Sequence, residues 1–110
     1  MNTLRNKVQL IGNLGNEPEI ITLDSGKMLA KFAIATNESY KNAKGERITD
    51  TQWHNIVAWG KTAEIVEKYV GKGKEVAIEG KLTSRSYETK EGEKRYVTEV
   101  VCNELLMLGK

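Results

Sequence analysis

Four large aromatic residues lie outside any apolar helix, on strand-like segments far apart in the sequence and beside polar or basic residues. They are Tyr40, Trp53, Trp59 and Tyr87. Every nucleobase has a flat π-face, and stacking one base on an aromatic ring contributes ~1–3 kcal/mol, so such rings interleaved with Lys and Arg fit single-stranded nucleic acid. The alternative is core filling, because Trp and Tyr in small β domains commonly pack against other side chains.

Two polar segments each combine one of these rings with cations. Residues 37–51 contain Tyr40 together with Lys41, Lys44 and Arg47, and residues 83–95 contain Tyr87 together with Arg85, Lys90, Lys94 and Arg95. Glutamates lie among the cations, so a solvated charged loop is the alternative. A loop that serves only solubility does not need an exposed ring, and the aromatic residues therefore favour a ligand-binding role.

Trp53 and Trp59 are six residues apart in one predicted strand. Because side chains alternate with a period of two along a strand, both rings lie on the same face, roughly 20 Å apart at ~3.3 Å per residue. This spacing fits two separate stacking positions on one DNA path better than one shared pocket.

The sequence offers few residues for catalysis or metal binding. His54 is the only histidine and Cys102 the only cysteine, and a lone histidine is rarely a metal site or a catalytic base. We expect His54 to make a structural or interface hydrogen bond, and we predict no catalytic residue, no metal site and no cofactor. A nuclease would need clustered carboxylates for metal ions, and the nearest candidates, Glu75 and Glu79, are interpreted as solvent-facing.

Length and composition narrow the remaining possibilities. A chain of 110 residues is long enough for one core and too short for two, so residues 1–110 are expected to form a single domain. The net charge of +2 balances 17 basic against 15 acidic residues and selects no class of partner. A single cysteine excludes an internal disulfide and indicates a reducing compartment. Without a leader-like N-terminus or an apolar run of about 18 residues, we expect a cytoplasmic protein that does not enter a membrane.

Apolar and polar residues alternate in six predicted strand segments: 6–14, 19–23, 28–34, 52–59, 75–82 and 96–103. The residues expected to face inward are Val8, Leu10, Gly12 and Leu14, then Met28, Ala30, Phe32 and Ile34, then Val76, Ile78, Gly80 and Leu82. One helix is predicted at 62–70, with Ala63, Val66, Tyr69 and Val70 as its apolar stripe and a stop at Gly71-Lys72-Gly73.

The order of these segments predicts the architecture. If the first two segments are one strand bent between Gly15 and Pro18, the chain has three strands, one short helix and two further strands. This order is typical of an all-β fold, a five-stranded Greek-key barrel of the oligonucleotide-binding type (OB-fold), with the helix between strands 3 and 4. The polar segments 37–51 and 83–95 are then long hairpin arms.

Blocks that cover the chain from about residue 6 to residue 109 resemble the bacterial and mitochondrial single-stranded DNA-binding protein family. They are NKVQLIGNLGNEPEI, FAIATNESY, QWHNIVAWGKTAEIVEKYVGKGKEVAIEGKL and RYVTEVV, in the family's order and with nearly its spacing. The resemblance implies a non-catalytic homotetramer of OB folds that wraps single-stranded DNA with little sequence preference. It also implies a role in replication, recombination and repair, at the bacterial nucleoid.

The resemblance also assigns residues by position. It implies base stacking on Tyr40, Trp53, Trp59 and Tyr87, and basic contacts along the DNA from Lys7, Lys61, Lys72, Arg85 and Arg95. The chain has Tyr at positions 40 and 87 where many relatives have Trp, and Asn55 and Gly71 where a basic residue is common. We therefore expect weaker stacking and weaker phosphate contacts.

Assembly is predicted to involve the first strand. Ile11 lies on the parity opposite Val8 and Leu10 and would otherwise be exposed. The predicted oligomer interface comprises Lys7, Gln9, Ile11 and His54. Bacterial relatives usually carry an acidic C-terminal tip that recruits enzymes, whereas residues 104–110 contain one acid and one base. We expect no recruitment of replication or repair enzymes through such a tail.

Two other binding functions use the same chemistry. An OB-fold accessory protein of primosome type would share the barrel, and a cold-shock-like domain would stack RNA bases on its aromatic residues. Preference for DNA over RNA and a tetrameric state would separate the first hypothesis from these.

Overall fold

β-Strands make up most of the protein, as the alternation of apolar and polar residues predicts. The computed structural model describes residues 5–109. In chain order its elements are β1 (Val8–Leu14), β2 (Glu19–Thr22), β3 (Met28–Lys41), β4 (Arg47–Trp59), α1 (Gly60–Tyr69), β5 (Glu75–Glu88) and β6 (Lys94–Met107).

The strands close into a barrel because β1 pairs on both of its edges. The order is β1-β5-β6-β4-β3-β2, and β1 also pairs with β3 through Asn13↔Ala35 and Leu14↔Ile34. Strand β2 continues along β3 from Glu19↔Lys31, so β1 and β2 are two halves of one interrupted strand. All pairings are antiparallel except that of β4 with β6. The predicted five-stranded OB-type barrel is confirmed, with α1 between β4 and β5.

The side chains that point into the barrel form one hydrophobic core. Val8 and Leu10 pack against this core. Its buried residues include Leu14, Ala30, Phe32, Ile34, Val76, Ile78, Val100 and Cys102. At Gly80, where the pairing of β5 with β6 is irregular, a Cβ atom would collide with the carbonyl oxygen of Val101. A glycine is therefore required for β5 and β6 to approach each other here.

Two residues predicted to be inward are exposed. Leu82 is 47% exposed, although it pairs with the buried Val100, because β5 continues beyond the barrel into the second arm at this point. Tyr69 is 64% exposed. At about 100° per residue Tyr69 falls about 60° to one side of Val66, whereas Ala63 and Val70 fall to the other side. The buried stripe of α1 is accordingly narrower than predicted.

Both predicted arms are two-stranded ribbons that prolong barrel strands. The first turn lies between β3 and β4, where the Asn42 Oδ1 accepts hydrogen bonds from the N–H groups of Lys44 (2.9 Å) and Glu46 (3.0 Å). The second lies between β5 and β6, where the Thr89 Oγ1 accepts one from the N–H of Glu93 (3.2 Å). The strands are longer than their apolar segments because an exposed ribbon needs no buried face.

Helix α1 connects β4 to β5 and packs against β3, β4 and β6. The side chains of Ala63 and Val66, which belong to α1, are fully buried. It begins directly after Trp59, which supplies no side-chain cap and has extended backbone angles. Trp59, the last residue of β4, therefore lies at the junction between the strand and the helix. Within residues 5–109, no helix has the length and apolar character needed to cross a membrane.

Candidate nucleic-acid interface

Strand β4 carries two exposed tryptophans on its outer face. Trp53 is 61% exposed and Trp59 is 43% exposed, whereas Ile56 and Ala58 on the other parity are buried. Tyr40 and Tyr87 are 56% and 48% exposed. The four rings predicted to stack bases do not fill the core, so their faces are accessible to a flat ligand.

A glycine supports the ring of Trp53. A Cβ atom added at Gly15 would lie 2.6 Å from the Cη2 atom of Trp53, so the ring lies directly over this residue. The N–H of Gly15 donates to the carbonyl oxygen of Ala33 at 3.1 Å, and the Asn16 Oδ1 accepts from the N–H of Ala33 at 3.3 Å. The loop is held to β3 and forms a platform for the indole. In the sequence Gly15 indicated only a bend.

Tyr87 lies on the same face of the sheet as the tryptophans. Val57 pairs with Val101 across the parallel β4–β6 ladder, and the outer parity of β6 then pairs with Arg85 and Tyr87 of β5. We use the name stacking surface for the exposed side chains on this continuous face, namely Trp53, Trp59, Tyr87, Arg85 and Arg95.

Tyr40 is not brought onto the stacking surface. It pairs with Ile48 and shares the parity of the buried residues Phe32 and Ile34. Trp53 lies on the other parity of the same ladder, opposite Ala35. The first arm therefore separates Tyr40 from Trp53 by the thickness of a two-stranded ribbon.

The predicted cations fall into two groups, because some are already paired. Arg85 makes a two-pronged contact with Glu99, Nε to Oε1 at 3.1 Å and the second guanidinium nitrogen to Oε2 at 3.4 Å. This hydrogen bond and the carboxylate charge raise the pKa of Arg85 above its ordinary value. Arg95 pairs with Glu93 at 3.2 Å. Both guanidinium groups are more than half exposed, and each has further N–H donors that a phosphate can contact.

The remaining predicted cations are lysines. Lys61 and Lys72 are exposed and form no ion pair with another residue of the described part of the chain. The backbone N–H of Lys72 donates to the Glu17 Oε1 at 3.0 Å. Lys7 lies elsewhere, on the outer parity of the first strand segment, where its Nζ is 3.6 Å from the Glu79 Oε1. Lys7 therefore does not join the stacking surface.

A groove of about 270 Å³ lies beside Asn55 and Val57, which stand between the two tryptophans along β4. Its polar lining consists of Asn16, Glu19, Lys31, Asn55 and Glu99, with Val57 and Val97 as apolar neighbours. The sequence alone predicts no function for Glu99. No local signal in the sequence places Glu99 beside Asn55, because that proximity depends on the non-local pairing of β4 with β6.

A second exposed face lies across β1, β5 and β6. Ile11 is 59% exposed and Leu106 is 64% exposed, and both border an open depression of about 590 Å³. We use the name aliphatic surface for the outward side chains at this depression, namely Gln9, Ile11, Ala77, Glu79, Glu104 and Leu106. Two predicted interface residues, Gln9 and Ile11, belong to it, and Lys7 adjoins it through Glu79.

His54 lies away from the aliphatic surface. It is half-buried on the parity of Ile56, and its Nε2 lies 3.0 Å from the Thr36 Oγ1. Its structural hydrogen bond is therefore observed, and its role in an interface stays a prediction.

Cys102 is a core residue. It is 4% exposed, and its thiol donates to the carbonyl oxygen of Glu104 at 3.1 Å. Burial raises the pKa of the thiol to about 11. Among residues 5–109, no three His, Cys, Asp or Glu side chains are grouped as a metal site would require.

Similarity to known proteins extends over the same elements. The model of the single-strand binding protein family matches residues 5–108. The chain is 49% identical over 105 residues to "Single-stranded DNA-binding protein 1" of Chlorobaculum tepidum, covering 94% of this chain and 65% of that protein. It is 42% identical over 104 residues to the single-stranded DNA-binding protein of Neisseria meningitidis serogroup A, covering 94% and 60%. The chain thus spans less than two thirds of the length of these relatives.

Solved structures share the fold. A Plasmodium falciparum SSB in complex with ssDNA is similar with a TM-score of 0.88 at 33% identity, covering 99% of this chain and all of that one. A deletion mutant of the single-stranded DNA binding protein from Thermus aquaticus has a TM-score of 0.81 at 23% identity, covering 94% and 50%, and supports the fold alone. From the match along nearly its whole length, the chain belongs to the single-strand binding protein family.

Proposed function

We propose that this protein binds single-stranded DNA with little sequence preference and protects it during replication, recombination and repair. One observation carries the proposal. Trp53, Trp59 and Tyr87 are exposed on one continuous face of the barrel and its second arm, with two arginines among them. Rings and cations on one face are what base stacking and phosphate contacts require. The names of the relatives, single-stranded DNA-binding proteins, support the same activity.

The proposed mechanism combines base stacking with phosphate contacts. Bases stack on Trp53 and Trp59, which the period of β4 sets roughly 20 Å apart, while Tyr87 extends the path onto the second arm. Arg85, Arg95, Lys61 and Lys72 contact phosphates. Every base has a π-face and every nucleotide a phosphate, so neither term selects a sequence. The chain acts by binding and not as an enzyme.

The assembly we propose is a homotetramer at the bacterial nucleoid. Ile11 and Leu106 expose more than half of their surface on the aliphatic surface, and contiguous exposed aliphatic side chains favour a protein partner. A second copy of the chain presents the same surface, so a two-fold interface between copies covers both. Lys7 and His54 are the other residues we assign to subunit contacts.

A titration with oligo-dT tests the DNA-binding proposal. Saturating oligo-dT should quench the tryptophan emission, because Trp53 and Trp59 are the only tryptophans in the sequence. The logarithm of the binding constant should fall linearly with the logarithm of salt concentration, by about 0.7 per phosphate contact. Unchanged emission together with a salt-independent affinity would reject the mechanism.

A competition assay and a cleavage assay separate the proposal from two of its alternatives. RNA of the same length should compete more weakly than DNA, and equal or stronger competition would favour a cold-shock-like function. Labelled DNA incubated with the protein and Mg²⁺ should remain intact, since cleavage would assign the chain to the nucleases.

A further inference from the structure

The aliphatic surface contains two carboxylates that an apolar contact between copies does not use. Glu79 of β5 and Glu104 of β6 are partners across the β5–β6 ladder, and both line the depression. Side chains in such positions have Cβ atoms about 4.5–5.5 Å apart, and like charges there are destabilising. Two negative charges therefore lie side by side at a surface whose aliphatic residues favour contact with another protein.

Only part of this charge is offset by a cation. The Nζ of Lys7 lies 3.6 Å from the Oε1 of Glu79. Glu104 forms no ion pair with another residue in the range 5–109. Lys81, the next cation along β5, lies opposite Val101 and outside the depression. Two carboxylates and one lysine amine give this part of the surface a net charge of −1 in each copy.

A symmetric contact between copies doubles this charge. In a two-fold interface each copy presents the same surface to the other, so copies that meet at the depression bring four carboxylates and two lysine amines together. The excess negative charge opposes the contact that Ile11 and Leu106 favour. Mobile ions screen exposed charges beyond about 10 Å at 0.1 M salt and beyond about 3 Å at 1 M, so added salt weakens the repulsion.

We propose that Glu79 and Glu104 make the association of copies through the aliphatic surface stronger as the salt concentration rises, with Glu104 as the main source of repulsion. This inference rests on the proposed assembly and adds its electrostatic regulation. DNA binding has the opposite dependence, because each phosphate that the protein neutralises releases bound counterions. Salt that releases DNA therefore leaves the oligomer intact.

Sedimentation of fluorescently labelled protein without DNA, from nanomolar to micromolar concentration, tests the proposal. Between about 0.05 and 0.5 M NaCl, the association constant of the wild-type protein should rise about tenfold, which corresponds to about 1.4 kcal/mol. Glu104→Gln removes the unpaired charge and keeps the pair between Lys7 and Glu79. At low salt this variant should associate about tenfold more tightly than the wild type and should lose most of the salt dependence.

Two further variants complete the comparison. Lys7→Gln leaves both carboxylates without a cation, so its association should be weaker at low salt and should rise more steeply with salt. Glu67→Gln removes an exposed carboxylate from α1 and should keep the wild-type values. A general strengthening of apolar burial by salt would act on all four proteins alike, so the differences between them isolate the charge repulsion.

Subunit exchange extends the test to an oligomer that stays intact at nanomolar concentration. Energy transfer between donor-labelled and acceptor-labelled copies gives the exchange rate. This rate should fall with salt in the wild-type protein and should be slow at every salt concentration in Glu104→Gln.

The possible failures are distinguishable. Wild-type association that weakens or does not change with salt would overturn the proposal and leave the proposed assembly intact. A salt dependence in Glu104→Gln equal to that of the wild type would do the same. A monomer at every concentration would reject the proposed assembly and this inference together. None of these results bears on DNA binding, because the assay contains no DNA.

Discussion

The stacking surface and the aliphatic surface lie on the same barrel, above the same core, and differ only in their outward side chains. On the first, Trp53 and Trp59 alternate with buried residues of β4. On the second, Ile11 alternates with inward residues of β1 in the same way. The inward side chains determine the fold. The outward side chains are therefore free to differ between the two surfaces and to suit two different partners.

Charge sharpens this difference. The aliphatic surface includes Glu79 and Glu104, and the nearby Lys7 is paired with Glu79. Carboxylates repel phosphates, and aliphatic side chains offer no π-face for a base. We therefore expect DNA to bind the stacking surface and another copy of the chain to bind the aliphatic surface. The two surfaces should respond independently to substitution.

The largest expected effect is on assembly, from Ile11→Glu. A carboxylate buried in the subunit interface without a partner should cost at least about 3 kcal/mol, which lowers the association constant more than a hundredfold. Light scattering at micromolar protein should then show a smaller species. Ile65→Glu is the matched control, because Ile65 is also an exposed isoleucine but lies on α1. An oligomer of wild-type size from Ile11→Glu would show that the aliphatic surface does not hold the subunits together.

The core beneath both surfaces should weaken at alkaline pH through Cys102. Its pKa is raised to about 11 in the folded protein, whereas an unfolded chain's thiol ionises near pH 8.5. Above pH 8.5 the unfolded state binds fewer protons, so the free energy of unfolding falls until about pH 11, by roughly 2–3 kcal/mol. Urea unfolding between pH 7.5 and 10.5 measures this loss. Cys102→Ala should lack that part of the slope, and identical slopes would contradict the raised pKa.

Trp53→Ala should weaken DNA binding and leave assembly unchanged. Loss of one stacked base costs roughly 1–3 kcal/mol. Fluorescence anisotropy of a labelled dT oligomer measures the affinity, and light scattering checks the oligomer. Tyr69→Ala is the control, because Tyr69 is a 64% exposed ring on α1 and not on the sheet face that carries the two tryptophans. Equal losses from the two variants would mean that ring position is irrelevant to binding.

The smallest effect is expected from Tyr40→Ala on short DNA. Tyr40 lies on the opposite side of the first arm from Trp53, so a dodecamer on the stacking surface should lose at most about 1 kcal/mol, the lower limit for one stacked base. A strand long enough to wrap around the arm should lose more. If the dodecamer loses as much affinity as with Trp53→Ala, Tyr40 reaches the same DNA segment and the two faces of the arm are not separate.

Local alternation predicted most of the barrel, because each inward residue is specified by its own strand. Ile34 and Val76 are fully buried as predicted. Leu82 continues the same alternation but lies where β5 leaves the barrel. Alternation does not indicate the position along a strand at which the barrel core ends. The rings of the site were found by residue type alone. Glu99 was missed because it lines the same groove as Asn55 only through the parallel pairing of β4 with β6, which no local pattern encodes.

The double pairing of β1 affects the order in which the protein is made and folded. Val8 pairs with Gly80, 72 positions later, whereas the neighbouring strands β3 and β4 pair across a short turn. At a synthesis rate of about 5–20 residues per second, β1 waits roughly 4–14 s on the ribosome before the paired part of β5 exists, although its other partner, β3, follows much sooner. Closing so long a loop also carries a larger entropic cost than forming a hairpin. The β3–β4 hairpin can therefore form early, and the pairing of β1 with β5, which closes the barrel, is among the last to form.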